Sequence, residues 1–226
     1  MLVLCDIDAT VTDYQPGGMD FREAVFAMFA DEVAAARGMA VTEARQLLED
    51  YANNQLVWWD YPDFIVGFGL EPGKLWARMR RLHQELLYTH PDAVAMVKRL
   101  RQEGRDLYVV SNNPVTGCLL KLELAGLADL RGSPYFRRVF GTNVTRGMKS
   151  QPPMWRRVVA SLGAAPEDMV TVGDSVKEDC LAPRQAGIGR SIIVDRASPR
   201  PVEERDGHMV VNSLELVNEL LRNGER

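Results

Sequence analysis

The chain has 226 residues, 46% apolar and 26% charged, the mix of an ordinary soluble globular protein. That mix excludes a mostly disordered chain, a collagen-like chain and a coiled coil. With 27 basic and 31 acidic side chains the formal net charge is −4, so no basic excess advertises nucleic acid or an anionic membrane as a partner.

Leu2 to Cys5 is a continuous apolar run that ends at Asp6. Such a run predicts a strand buried on both faces, as in a parallel sheet. Asp6 then stands at its carboxyl end, where open α/β sheets bind ligands. The run is too short for a signal peptide. No segment approaches the roughly 18 apolar residues of a membrane span. The expectation is a cytoplasmic protein. Cys5, Cys118 and Cys180 are odd in number and lack paired spacing, which predicts reduced thiols and neither a disulfide framework nor a zinc site. His83, His90 and His208 show no metal-ligand spacing.

From about residue 14 to 90 the pattern is helical. Asp20-Phe-Arg-Glu23 has the form of a capping box, with Phe21, Val25, Met28 and Phe29 following at helical spacing. Gly38 can end that helix. A second helix is expected from about Thr42 to Tyr51 and a third from about Lys74 to Tyr88, with Leu75, Met79, Leu82 and Leu86 on one face. No alternating strand interrupts them, so 14–90 reads as an all-helical insertion and 1–13 with 91–226 as the rest of the fold. Gly17 and Gly18 free the backbone at its entry and Pro91 stiffens its exit, which predicts hinges there. Trp58, Trp59, Tyr61, Phe64, Phe68 and Trp76 form an aromatic cluster whose first reading is packing. The stretch from Asn53 to Leu70, read as a loop, is the candidate surface for a substrate.

Beyond Pro91 strands alternate with helices. Pro91 opens a helix that Gly104 closes, and Leu107 to Val110 is a strand ending at Ser111. Asn113 is expected to cap the next helix with Pro114 as its first residue. A short strand covers Phe136 to Phe140, and a helix Pro152 to Leu162, closed by Gly163. The strand Met169 to Val172 runs into Gly173-Asp174. A helix to about Ala186, a strand Ser191 to Val194, a short strand Met209 to Val211 and a helix from Ser213 to Leu221 complete the chain. The alternation predicts a doubly wound parallel α/β sheet of Rossmann-like form.

Asp6 with Asp8, Ser111 and Asp174 all fall at the carboxyl ends of predicted strands, and Lys149 lies in a loop before a helix. In a parallel sheet these ends share one edge. Carboxylates, a hydroxyl and a lysine together suit phosphoryl transfer. A divalent cation held between carboxylates cancels their repulsion of a phosphate, and a hard cation prefers oxygen ligands. The lysine and hydroxyl can hold the phosphoryl oxygens.

Four segments carry a resemblance. Asp6-Ile-Asp-Ala-Thr-Val-Thr-Asp13, Val109-Val-Ser-Asn-Asn-Pro114, Lys149 and Val172-Gly-Asp-Ser-Val-Lys-Glu-Asp179, followed by Ala186-Gly-Ile188, resemble the ordered motifs of the haloacid dehalogenase-like hydrolases. The insertion is similar to the helical cap of the phosphoglycolate-phosphatase-like subgroup. The resemblance implies a magnesium-dependent phosphatase acting on a small phosphorylated metabolite, as a monomer or homodimer, without nucleic acid or membrane. It implies Asp6 as nucleophile forming an aspartyl-phosphate, and Asp8 as acid and then base. It implies Thr10, Ser111 and Asn112 around the phosphate, Lys149 pairing with it and with Asp6, and Mg2+ held by Asp6, Asp174, the Asp8 carbonyl and, as support, Asp179. Asp8 argues against dehalogenation, since a halide leaving group needs no proton. Phosphonoacetaldehyde hydrolases need an early cap lysine, and residues 14 to 73 hold none. A phosphomutase of the β-phosphoglucomutase type keeps both aspartates and stays open, as does a non-catalytic phospho-ligand binder of the same fold. Two positions depart from the family pattern. Ala9 stands where glycine is usual, with a small effect on the loop expected, and Ser150 stands where proline often follows the lysine.

Overall fold

A computed structural model describes residues 1–17, 20–54 and 58–223. The chain folds as two compact units, Met1–Asp13 with Thr89–Arg226, and Tyr14–Tyr88. The expected hinge residue Gly18 lies outside the described residues.

The larger unit is built on a seven-stranded sheet. Its strands are β1 (Leu2–Cys5), β4 (Asp106–Val110), β5 (Phe136–Phe140), β6 (Met169–Gly173), β7 (Arg190–Val194), β8 (Val202–Arg205) and β9 (His208–Val211), in the order β5-β4-β1-β6-β7-β9-β8. All neighbours run parallel except the antiparallel β8–β9 edge. β8 is a strand the sequence reading missed, because Val202-Glu-Glu-Arg205 holds a single apolar residue and that residue is exposed. β1 lies between β4 and β6, with Cys5 level with Val109 and Val172. The three loops that leave these strands therefore start side by side.

Side chains alternate along each strand, so successive residues enter opposite cores. Val3, Cys5, Val109, Val170 and Val172 pack on one face with α5 (Pro91–Gln102), α6 (Val115–Leu124) and α10 (Val217–Asn223). Leu4, Val110 and Phe140 pack on the other with α8 (Pro152–Leu162) and α9 (Ala182–Arg184). Helices on both faces are the doubly wound arrangement. Short α7 (Thr142–Thr145) follows β5. The helix expected after Asp174 is a π-helical turn, Val176–Leu181, running into α9. All three cysteines are buried and outside any disulfide, and burial pushes the Cys5 thiol up.

The smaller unit holds α1 (Phe21–Arg37), α2 (Val41–Asn54), α3 (Tyr61–Phe68) and α4 (Pro72–Leu86). The Asp20 carboxylate accepts the Glu23 amide at the start of α1, and Gly38 ends it in the left-handed region, φ 64°. Within the stretch read as a loop, Tyr61–Phe68 is a helix, opened by a capping box between Asp60 and Asp63. Gln55 to Val57 lie outside the described residues. The Phe64 ring centroid lies 5.9 Å from Phe26, 5.1 Å from Phe29 and 4.9 Å from Trp59. These rings are the packed core of their own unit. Short strands β2 (Thr12–Tyr14) and β3 (Leu87–Thr89) pair where the chain passes between units, a ribbon too short to leave an alternating pattern. Among the described residues no helix is long and apolar enough to cross a membrane.

Candidate active site

β1 delivers Asp6, and the Asp6 amide donates to the Val172 carbonyl of β6 at 2.9 Å, so the sheet ladder itself fixes the position. The Lys149 ammonium stands 2.6 Å from Asp6 Oδ1 and 2.8 Å from Asp179 Oδ1. All three side chains are buried. Lys149 is fixed through its backbone at both sides. Its amide donates to Asn112 Oδ1 at 2.8 Å, and its carbonyl accepts Trp155 Nε1 at 2.7 Å. Both bonds are made with Ser150 at the position where proline is usual.

Asp174 completes the cluster. One carboxylate oxygen from each of Asp6, Asp174 and Asp179 falls within a span of 4.8 Å. Burial raises the Asp6 carboxyl to about 7; Lys149 opposes this, while the Asp179 and Asp8 carboxylates add to it. Asp174 is the most open of the three; its partial desolvation, and then the Asp6 carboxylate, raise it to about 6. Burial also raises Asp179, although Lys149 and the Ser175 amide pull it down. Burial works against the Lys149 charge, and Asp179 and Asp6 more than offset it, holding the ammonium well above its usual range. Three carboxyl groups thus cluster where there is one ammonium, which touches Asp6 and Asp179, so their negative charge is not fully balanced. That is the electrostatic setting a divalent cation would relieve, and the donors are all hard oxygens.

The remaining expected residues fall into two groups. The Thr10 hydroxyl donates to Asp6 Oδ2 at 3.4 Å. Ser111 Oγ accepts the Asn113 amide at 3.2 Å and Asn113 Nδ2 at 3.0 Å. Asn112, expected near a phosphate, has both ends of its carboxamide engaged by protein. It accepts from Lys149 and donates to Glu178 Oε2 at 2.8 Å, so it ties together the loops carrying Lys149 and Asp174. The Asp8 carboxylate stands apart from the acidic cluster. It accepts from the Lys121 ammonium through Oδ1 and from Asn113 Nδ2 through Oδ2.

Two of these partners escaped the sequence reading. Asn113 is no helix cap, because α6 starts at Val115 with Pro114 at the cap position. The Val115 amide is taken by Asn143 Oδ1 at 3.0 Å. Lys121 is 0% exposed on α6. Its signal was its spacing: it shares a helical face with the buried Cys118, Leu122 and Ala125, where a lysine is out of place. Ala9 also departs from expectation. It adopts φ 53°, in the left-handed region that a side chain disfavours, so the missing glycine carries a conformational cost.

Residues 1–187 match the family described as haloacid dehalogenase-like hydrolase. The chain belongs to that family. Curated relatives of this hydrolase include an enolase-phosphatase of Azotobacter vinelandii, 30% identical over 62% of this chain and 58% of that protein. Another, from Granulibacter bethesdensis, is 25% identical over 82% and 81% of the two chains. Over the first of these the hydrolase spans little more than half of its relative's length. Among solved structures, a HAD phosphatase from Thermococcus onnurineus superposes with a TM-score of 0.59 at 25% identity, covering 97% of each chain. A 2-haloacid dehalogenase from Pseudomonas syringae pv. Tomato shares the fold, with a TM-score of 0.60 at 16% identity over 99% and 98% of the chains.

Proposed function

We propose that this hydrolase is a divalent-cation-dependent phosphatase that cleaves a small phosphorylated metabolite through an aspartyl-phosphate on Asp6. The observation that carries the reading is the single Lys149 ammonium set between Asp6 and Asp179, with Asp174 in reach of both. The names of the enolase-phosphatase relatives support phosphate ester hydrolysis as the reaction.

In this reading Asp6 attacks the phosphorus in line with the leaving oxygen, and the P–O bond to that oxygen breaks. Asp8 supplies the proton to the leaving oxygen. It then takes a proton from the water that attacks phosphorus and frees Asp6. Lys149 holds Asp6 in one rotamer and offsets charge on the transferring group. Ser111 and Thr10 offer hydroxyls at the same sheet edge. Asp6, Asp174 and the Asp8 carbonyl would hold Mg2+, with Asp179 as a buried support. When bound, the ion neutralises the phosphate and carboxylates that would otherwise repel one another. The helical unit, residues 14–90 in this assignment, is given the part of a cap that selects the substrate.

The test is release of inorganic phosphate from p-nitrophenyl phosphate and from a panel of small phosphomonoesters. Turnover is expected with Mg2+ and none is expected in EDTA. Calcium is expected to inhibit, because its larger, looser coordination draws Asp6 out of line. Full turnover in EDTA or in calcium alone would contradict the metal assignment.

A further inference from the structure

Arg196 sits in the loop just beyond β7, in the same unit as the acidic cluster. Its side chain is 27% exposed. Nη1 donates to the Ala9 carbonyl at 2.8 Å and Nη2 to the Thr10 carbonyl at 2.9 Å. Nη2 also meets Asp92 Oδ1 at 3.2 Å. Asp92 lies in the first turn of α5, and it is itself fixed. Its Oδ1 accepts the Ala93 amide at 2.8 Å and its Oδ2 accepts the Leu214 amide at 3.0 Å. Arg196 thus ties a rigid point, where α5 and the C-terminal segment meet, to two successive carbonyls of the loop after Asp8.

That loop needs tying. The Thr10, Val11 and Thr12 amides all donate to the Ile7 carbonyl, at 3.3, 2.7 and 3.0 Å, which winds the chain into a tight turn. The turn requires φ 53° at Ala9. A glycine takes that conformation freely, whereas an alanine brings its Cβ against its own backbone. Strained residues of this kind persist only where their surroundings over-determine them. The planar fork of an arginine presents its donors to two neighbouring carbonyls in a fixed geometry, whereas a lysine ammonium is a point charge on a flexible stem.

We propose that Arg196 is a positioning residue for the active site. It holds the strained turn at Ala9, and through that turn it sets Asp8 and Thr10 on either side of Ala9. The proposal rests on the phosphatase reading above. Alanine at position 9 and arginine at position 196 then form one device: the clamp supplies the conformational hold that a glycine would make unnecessary.

The experiment is a double-mutant cycle on p-nitrophenyl phosphate turnover with Mg2+, using wild type, A9G, R196M and A9G/R196M, each also followed by thermal melting. R196M is expected to lower kcat by about tenfold or more, because a small misplacement of reacting groups is costly. KM is expected to change by less than about threefold, because the substrate's own contacts remain. In the A9G background the same R196M change is expected to lower kcat by no more than about threefold, since glycine takes the turn unaided. If R196M does not fold, R196K replaces it in both backgrounds and the same rescue by A9G is expected. Wild-type kcat in R196M or R196K, or an equal loss in both backgrounds, would overturn the proposal. An inactive wild type would instead overturn the phosphatase reading, and the positioning role with it.

Discussion

The backbone of Gly173 lies against the Asp179 carboxyl group so closely that a Cβ on residue 173 would stand 2.2 Å from Asp179 Cγ. The last residue of β6 must therefore be glycine for Asp179 to reach Lys149. Gly173→Ala is expected to push Asp179 aside and release the ammonium it holds. Turnover should fall by about a hundredfold, with overpacking costing about 1–3 kcal/mol of stability. Steady-state kinetics and a urea melt check both parts, and near-wild-type turnover in the variant would contradict the arrangement.

Lys121 gives a second prediction. It is wholly buried and its ammonium pairs with Asp8, whose side chain is about a third exposed. Lys121→Met removes one partner of this pair. Water still reaches Asp8, so the loss of stability should be smaller than the about 3–5 kcal/mol of a fully buried pair. Because the orphaned charge is the cause, adding Asp8→Asn should return part of the lost stability. Kinetically, Lys121→Met alone should slow turnover by at least about tenfold, since Asp8 loses the group that orients it. A double variant no more stable than Lys121→Met would show that the pair is not coupled.

Stability should also depend on pH through Asp174. Its folded carboxyl is raised to about 6 by burial and by Asp6, against about 3.9 in an unfolded chain. A raised carboxyl favours the fold when protonated, so its contribution is present at about pH 4 and lost as pH rises to about 6. Asp174→Asn removes that loss. In metal-free protein the variant should gain stability over wild type at about pH 7.5, and the gain should shrink toward about pH 4.5. Equal urea midpoint shifts at both pH values would count against the acidic cluster as described. Adding Mg2+ should reverse the order at the higher pH by stabilising only the wild type.

Phe64 is 1% exposed among the rings of the helical unit. Phe64→Ala should cost about 3–5 kcal/mol, with substrate ranking unchanged in whatever fraction stays folded. A folded variant of wild-type stability that re-ranks phosphomonoesters would return this ring to the substrate-facing role the sequence pattern left open.

Most of the frame was legible in the sequence, for physical reasons. The runs Leu2 to Cys5, Leu107 to Val110 and Met169 to Val172 are buried on both faces and read as parallel strands without help. The turn residues at their ends then place Asp6, Ser111 and Asp174 on one edge. Local patterning could not show β8, β2 or β3, which are short and carry little apolar surface. Nor could it show α3, whose aromatic residues crowd any periodicity. Helical spacing marks Lys121 as buried, but its pairing with Asp8, and that of Asn113, is set by a partner in another segment. Asn113 was read through its neighbour Pro114 as a cap, when the cap bond comes from Asn143. Ala9 was read as a small departure because sequence gives residue type but not φ.

The central claim is that Asp6 carries the phosphoryl group. It is tested most directly by trapping. Protein turning over p-nitrophenyl phosphate with Mg2+ is quenched in acid, reduced with borohydride and mapped by peptide mass spectrometry. An acyl phosphate on Asp6 is reduced to the alcohol, so position 6 should appear as homoserine, and more abundantly in Asp8→Asn, where release is stalled. Asp6→Asn should show neither the reduced residue nor turnover. Steady turnover by wild type with no reduced residue at position 6, or Asp6→Asn retaining as much as about a tenth of the activity, would contradict the account.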